Sequence, residues 1–140
     1  MNTKVEETLV LVKPDGVARN LTGEILSRIE AKGYSLVDVK LVEPDRSLLA
    51  AHYAEHGGKP FYEPLVEFME SGPIVAFRVA GNRVIEGFRA LAGTTDPTTA
   101  APGTIRGDFG RDWGEKVQQN LVHGSDSPES AARELALWFD

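Results

Sequence analysis

Short apolar runs alternate with amphipathic stretches along this chain, and the pattern predicts four strands and five helices. The run TLVLV at residues 8–12 is aliphatic and β-branched, and the turn residues Pro-Asp-Gly at 14–16 close it, which is typical of a strand. The segment YSLVDVKLV at 34–42 alternates polar and apolar residues, as a half-buried strand does. The other predicted strands are Pro73 to Ala80 and the short run NLV at 120–122.

The helices are indicated by apolar residues that recur every three or four positions. The first helix starts at Leu21, presents Ile25 and Ile29 on one face, and is stopped by Gly33. The other predicted helices are 46–56, 61–70, 82–91 and a terminal helix that Ser127 would cap.

The order of these elements predicts a fold class. Between Gly93 and Trp113 no period is detectable, which indicates a long loop, and such loops usually carry function. Without the insertions the order is βαββαβ, which is typical of a ferredoxin-like α+β sandwich with a four-stranded, mainly antiparallel sheet. A parallel, doubly wound sheet is disfavoured because the sequence has no glycine-rich phosphate turns after its strands. We expect one domain over residues 1–140.

Composition narrows the possible functions. Fifteen basic and 21 acidic residues give a net charge of −6, which argues against a nucleic-acid-binding surface and requires any anionic ligand to find a local basic pocket. The absence of cysteine excludes disulfides, thiolate catalysis and cysteine-based zinc sites. The apolar run near the N-terminus is too short for a signal sequence or a membrane span, so we expect a cytoplasmic protein with no membrane partner.

Phosphate binding, if present, must rely on side chains, because no glycine-rich nucleotide motif occurs in the sequence. Lys13 at a strand end, Arg89 near a helix end, and Thr95 and Arg106 in the long loop are the candidates. Any one of them alone would more often be a solvated surface residue.

His123 stands between an apolar strand end and a run of small polar residues. A neutral imidazole has a nitrogen lone pair that can attack phosphorus or accept a proton. A histidine beside a turn is more often a surface or capping residue, but Asn120, Ser125 and Glu134 lie close in sequence. A third group that orients the ring is the general arrangement of nucleophilic catalysis.

A metal site and a stacking surface are weaker alternatives. His52 and His56 are four residues apart on a predicted helix, but Glu55 does not occupy the position that the H-E-x-x-H pattern requires. We therefore expect no metal bound by this pair. Tyr53 and Phe61 are either core aromatics or a stacking surface.

Four segments together resemble the nucleoside diphosphate kinase family: LVLVKPDGV, YAEHGGKPFYEPLVEFMESGPIVA, PGTIRGDFG and NLVHGSD. They occur in the family's order, and the similarity runs from Thr8 to Phe139. The resemblance implies the same ferredoxin-like fold. It also implies reversible, ping-pong transfer of the γ-phosphoryl group of a nucleoside triphosphate to a nucleoside diphosphate through a phosphohistidine, which maintains nucleoside triphosphate pools.

The resemblance also implies a role for each matching residue. His123 matches the phosphorylated histidine, Glu134 the carboxylate that orients it, and Ser125 the neighbouring hydroxyl. The residues that match phosphate and ribose contacts are Lys13, which also belongs to the catalytic group, Tyr53, Arg89, Thr95, Arg106 and Asn120. Phe61 matches the aromatic residue that stacks on the base, with Leu65 and Val117 beside it.

The resemblance implies Mg²⁺ as cofactor, held mainly by nucleotide phosphates and water rather than by a carboxylate cage. It implies a homo-oligomer, most often a hexamer built from dimers, with a tetramer as the bacterial variant. The segment GRDWGEKVQQ before Asn120 is longer than the family pattern. A non-catalytic nucleotide- or nucleic-acid-binding module is the alternative function, although IRGDFGRDW matches only the first steps of an RNA-binding strand motif.

Overall fold

The computed structural model of the protein describes residues 5–139, apart from the side chain of His56. The strands are β1 (Glu6–Val12), β2 (Ser35–Val42), β3 (Ile74–Gly81) and β4 (Val122–Gly124). The helices are α1 (Pro14–Ala18), α2 (Thr22–Ala31), α3 (Arg46–His52), α4 (Tyr62–Met69), α5 (Val84–Ala92), α6 (Ile105–Phe109) and α7 (Pro128–Phe139), with a 3₁₀ turn at Ala54–His56. Across the described range, no helix combines the length and apolar character needed to cross a bilayer.

The four strands form one sheet in the order β2-β3-β1-β4, and each neighbouring pair is antiparallel. The ferredoxin-like prediction is confirmed, and the parallel alternative is wrong. β2 and β3 are consecutive in the chain and adjacent in the sheet, whereas the connections from β1 to β2 and from β3 to β4 each cross over one strand and contain α2 and α5, respectively.

Strand β1 is the centre of the core, because both of its faces are covered. Val10 and Val12 pack on one side with residues of α2 and α5, and this cluster is called the first core. Leu9 and Leu11 pack on the other side with residues of α3, α4 and α7, and this cluster is called the second core. All four residues have no exposed surface, which is typical of a strand between two helix layers.

Strand β2 lies at the edge of the sheet, and its predicted half-burial is wrong. A bulge between Leu36 and Asp38 shifts the register, so that Val39 and Leu41 pair with Phe77 and Val75. Val39 and Leu41 are nevertheless 48% and 68% exposed. The apolar residues of this strand therefore continue the first core beyond the helices that cover it.

Three short elements differ from their sequence predictions. Helix α1 replaces the predicted turn at 14–16, since Pro14 suits the first helical position. Helix α6 lies within the predicted loop and is too short to show a period; Thr104 caps it by accepting from the Gly107 N–H. Strand β4 begins at Val122 rather than at 120, because Leu121 has a left-handed backbone with φ of 72°.

Two helical glycines provide a stability test. A Cβ at Gly87 in α5 would overlap the Tyr34 hydroxyl, whereas a Cβ at Gly23 in α2 would meet open space. We expect Gly87→Ala to lower the free energy of unfolding by about 1–3 kcal/mol through overpacking. Gly23→Ala should raise it by up to about 1 kcal/mol, because alanine loses less backbone entropy on folding. Urea unfolding of both variants measures the difference, and equal effects would contradict this packing.

Candidate active site

One cavity of about 590 Å³ lies where the ends of several elements meet. It brings together eight of the predicted site residues: Lys13, Tyr53, Arg89, Thr95, Arg106, Asn120, His123 and Glu134. These residues come from both helix layers and from the two adjacent strands β1 and β4. Sheet pairing and helix packing therefore assemble a site that is dispersed along the sequence.

His123 is held by a carboxylate from α7. Its Nε2 lies 2.9 Å from Glu134 Oε1, which also accepts a 2.7 Å hydrogen bond from Ser125 Oγ. Burial alone would raise the pKa of Glu134, but the hydrogen bonds from His123 and Ser125 outweigh it and hold the pKa at about 2. Glu134 is therefore a carboxylate that can only accept, so His123 Nε2 carries a proton.

The other ring nitrogen of His123, Nδ1, is available for chemistry. No residue of the described range forms a hydrogen bond with it, and His123 lines the cavity. In the neutral imidazole Nδ1 then has the lone pair. The geometry thus distinguishes the two nitrogens, which the sequence alone could not do.

The backbone that leads into β4 is held in a strained conformation. Leu121 has φ of 72°, a conformation that costs a non-glycine residue about 1–2 kcal/mol. Its carbonyl accepts from the Lys13 N–H at 2.8 Å, and its N–H donates to Asp15 Oδ2 at 3.1 Å. Burial raises the pKa of Asp15. Sequence reasoning missed Asp15, although its place beside Lys13 in the turn was a signal.

Arg106, like Asp15, binds the backbone of the segment that leads into β4. Its guanidinium donates to the carbonyls of Gly93, Asn120 and Val122 at 2.8, 3.0 and 2.7 Å. Burial, and then the charge of Arg89, lower the pKa of Arg106 to about 10. Arg106 therefore joins the long loop to the strand that carries the histidine.

Lys13 is placed by an amide. Its Nζ donates to Asn120 Oδ1 at 2.8 Å, and Asn120 Nδ2 donates to the Thr95 carbonyl at 3.2 Å. Burial, and then the charge of Arg106, lower the pKa of Lys13 to about 8. Lys13 and Arg106 are held close together although burial and their like charges oppose it, and such a group of cations forms a binding site for a polyanion.

His52 adjoins His123 and was not predicted as a site residue. It is 5% exposed, its ring centroid lies 4.7 Å from that of His123, and its Nδ1 accepts from Trp138 Nε1 at 3.0 Å. Burial, and then the charge of His123, lower the pKa of His52 to about 3. The Tyr53 ring also meets the His52 ring edge to face, and burial raises the pKa of the Tyr53 phenol.

A metal ion does not fit this histidine pair. Donor atoms of His52, His123 and Glu134 lie within 4.8 Å of one another. Because His52 Nδ1 accepts from the indole, its Nε2 carries the proton and has no lone pair for a metal. The pairing of His52 with His56 cannot be compared, since the His56 side chain lies outside the described residues.

Four predicted residues do not line the cavity. Ser125 is fully buried and supports Glu134 from behind. Phe61 is 49% exposed at the start of α4, and Leu65 of the same helix packs against the second core. Val117 is half-buried in the segment before Asn120. The base-binding roles of Phe61, Leu65 and Val117 stay predictions.

A sequence model of the family described as nucleoside diphosphate kinase matches residues 6–140. The chain belongs to the nucleoside diphosphate kinase family. Relatives of that name include proteins from Streptomyces avermitilis, 61% identical over 135 residues that cover 96% of each chain, and Thermobifida fusca, 58% identical over 135 residues that cover 96% of this chain and 97% of the relative. Membership makes the protein a nucleotide-binding kinase.

Solved structures of nucleoside diphosphate kinases have the same fold. The enzyme from Halobacterium salinarum in complex with CDP superposes with a TM-score of 0.91 and 47% identity, over 98% of this chain and 89% of that one. A family member from Babesia bovis gives 0.89 and 47% over 96% and 88%. The predicted resemblance and fold are confirmed.

The pKa of Lys13 predicts how nucleotide affinity depends on pH. Phosphate oxygens favour the charged amine, so the affinity for ADP should fall as the pH rises above about 8, by up to about tenfold per pH unit. Lys13→Arg should remove this fall, because a guanidinium stays charged. Calorimetric titration between about pH 7 and 9 measures it, with Lys40→Arg as control. An unchanged fall in Lys13→Arg would contradict the assignment.

Proposed function

We propose that the protein transfers the γ-phosphoryl group of a nucleoside triphosphate to a nucleoside diphosphate through a phosphohistidine at His123. The observation that carries this proposal is the free Nδ1 of His123, which lines one cavity with Lys13 and Arg106. A nucleophile and a polyanion site in one cavity are what phosphoryl transfer to a side chain requires.

The transfer to His123 needs no proton acceptor. Nδ1 of His123 donates its lone pair to the γ-phosphorus, the bond from phosphorus to the bridging oxygen breaks, and the diphosphate leaves with that electron pair. The ring becomes positive while Nε2 keeps its proton, and the Glu134 carboxylate stabilises that charge through the existing hydrogen bond. A second diphosphate then attacks the phosphohistidine and reverses these steps.

The cationic side chains of the cavity would accelerate the transfer by stabilising its transition state. The transferred phosphoryl group is a loose, highly charged species in the transition state, and positioned cations and N–H groups stabilise it. Lys13 and Arg106 are already fixed by hydrogen bonds to Asn120 and to backbone carbonyls. Arg89 is exposed at the end of α5, where it can reach phosphates at the mouth of the cavity.

Mg²⁺ fits this site only as a partner of the nucleotide. The acidic residues among the described lining are Glu134, which His123 and Ser125 already occupy, and Glu55 and Asp126, which are exposed. They do not form an octahedral cage, so the phosphates would hold the ion, with the two exposed carboxylates reached through water. When bound, Mg²⁺ would neutralise charge on the phosphate oxygens.

Base recognition is proposed to be tolerant. Phe61 presents an exposed aromatic ring with the Lys59 Nζ 5.9 Å from its centre. Stacking on such a ring accepts any base, because every base has a π-face. The halophilic relative solved with CDP supports binding of a pyrimidine nucleotide by this family.

The phosphohistidine can be tested directly. ATP labelled at the γ-position should leave an acid-labile, alkali-stable phosphate on the protein and release ADP, and added CDP should become CTP. His123→Ala should abolish the label and lower transfer by about three or more orders of magnitude, since a nucleophile is lost.

Arg46→Ala removes an exposed cation paired with Glu63 and Glu70 and serves as the control, which should label normally. A label that survives in His123→Ala would sink the proposal. Binding of ATP without any transfer by the unmodified protein would favour the non-catalytic alternative.

We also propose that the protein assembles as a homo-oligomer through β2, with a hexamer built from three dimers as the expected state. The outer edge of β2 pairs with no strand of the described chain, which leaves backbone groups free to pair. Val39 and Leu41 extend the first core onto this edge and are largely exposed. A second copy placed on the edge would cover both the backbone groups and the apolar residues.

Assembly can be tested with charge substitutions. Leu41→Glu should lower the molar mass in solution toward that of one chain, because it would bury a charge at the interface. Val5→Glu changes a residue that is 59% exposed away from β2 and should keep the native mass. Light scattering at several concentrations measures both, and a Leu41→Glu variant with the native mass would contradict this interface.

A further inference from the structure

We propose that Trp138 and His52 are positioning residues for His123: the indole N–H fixes His52 as a neutral ring with its proton on Nε2, and that ring fixes the plane of His123. This inference rests on the proposed role of His123 as nucleophile. Neither Trp138 nor His52 contacts the transferred group in the mechanism above.

The tautomer follows from the donor and acceptor properties of the two side chains. Trp138 is 1% exposed in α7, and its Nε1–H can only donate, so His52 Nδ1 must accept at their distance of 3.0 Å. A neutral imidazole has one N–H, which is then on Nε2. Loss of the indole N–H would free His52 to adopt either tautomer.

The contact with His123 fixes the orientation of the nucleophile. The rings of His52 and His123 meet edge to face, with centroids 4.7 Å apart and planes at 72°. Glu134 holds His123 at Nε2, but one hydrogen bond leaves the ring free to rotate about it. The second contact removes that freedom and leaves Nδ1 accessible.

The charge of His52 matters as much as its position. The charged or titratable groups around it are His123 on β4, Lys13 at the end of β1, and Glu134 and Arg133 on α7, and Tyr53 follows it in the chain. Protonation would point a second N–H at the indole N–H and place a cation beside the ring that becomes positive during transfer. Burial already opposes protonation. The indole N–H can only donate, so it also disfavours a proton on His52 Nδ1.

The test uses Trp138→Phe, which keeps a buried aromatic ring, removes the donor and leaves a smaller side chain. Its rate of His123 phosphorylation by ATP should match the unmodified protein within about twofold at pH 8, and the ratio of the two rates should fall about threefold between pH 8 and pH 5.5. Burial still opposes protonation in this variant, so the pKa of His52 should rise from its lowered value but stay below the value of about 6.5 of a free imidazole. Leu135→Val trims the same helix in the same core and should keep the native pH profile.

A second variant separates positioning from packing. His52→Asn keeps an acceptor near the Nδ1 position but lacks the ring, so it should slow phosphorylation at every pH without a new acid limb. Adding Trp138→Phe to His52→Asn should then change nothing further, because the two residues act as one unit.

Three results would overturn the proposal: a native pH profile in Trp138→Phe, the same acid loss in Leu135→Val, or an acid loss that persists in the double variant. Nitrogen NMR of the unmodified protein tests the tautomer without activity, and a proton on His52 Nδ1 would refute it even if Trp138→Phe fails to fold. If the unmodified protein acquires no phosphate on His123, the proposed function fails, whereas the tautomer stands or falls by NMR.

Discussion

The pairing of β4 with β1 is the interaction on which the site depends. Strand β4 has three residues, and its central residue, His123, lies opposite Leu11, which is fully buried. A strand this short cannot hold its own register, so side chains from other elements must hold it. Asp15 does so by accepting from the Leu121 N–H, and Arg106 by donating to the carbonyls of Asn120 and Val122 on either side of it.

This arrangement places stability and function in opposition. Lys13 and Arg106 are both partly buried, which lowers the pKa of each, and the charge of Arg106 lowers the pKa of Lys13 further. In a protein with a net charge of −6, such a pair would be easy to neutralise with carboxylates, yet the cavity keeps its acidic groups engaged or at the exposed rim. No carboxylate among the described residues of the cavity neutralises these two cations, so the phosphate chain of a ligand can supply the neutralising negative charge.

The fold could be predicted from the sequence because periodicity reports burial directly. Strand β1 reads as an apolar run since both its faces are covered, and α5 reads as a helix since one face carries Val84, Ile85 and Phe88. Edge strand β2 misled the same reasoning, because its alternation suggests a covered face that the single chain does not provide. Periodicity cannot state which molecule covers a residue.

Site residues could be predicted where the type of side chain indicates its chemistry. They could not be predicted where a role depends on contacts that form only in the folded chain. His123, Glu134 and the cations could be identified through the family resemblance, and the structure brings them into one cavity. Asp15 and His52 were missed because their roles arise from a strained backbone at Leu121 and from an indole donor far along the chain. The indole donor leaves no pattern in the sequence, and for Asp15 the sequence offers only its place beside Lys13 in the turn.

Helix α7 shows how one element can supply both kinds of support. Glu134 and Trp138 are four residues apart, so they lie on the same face of the helix, one turn from each other. The first binds His123 directly and the second binds His52, whose ring packs against His123. Because Trp138 is also a core residue, any shift of α7 that loosens the core would move both supports of the nucleophile together. Packing of the terminal helix and orientation of the imidazole are therefore one structural property rather than two.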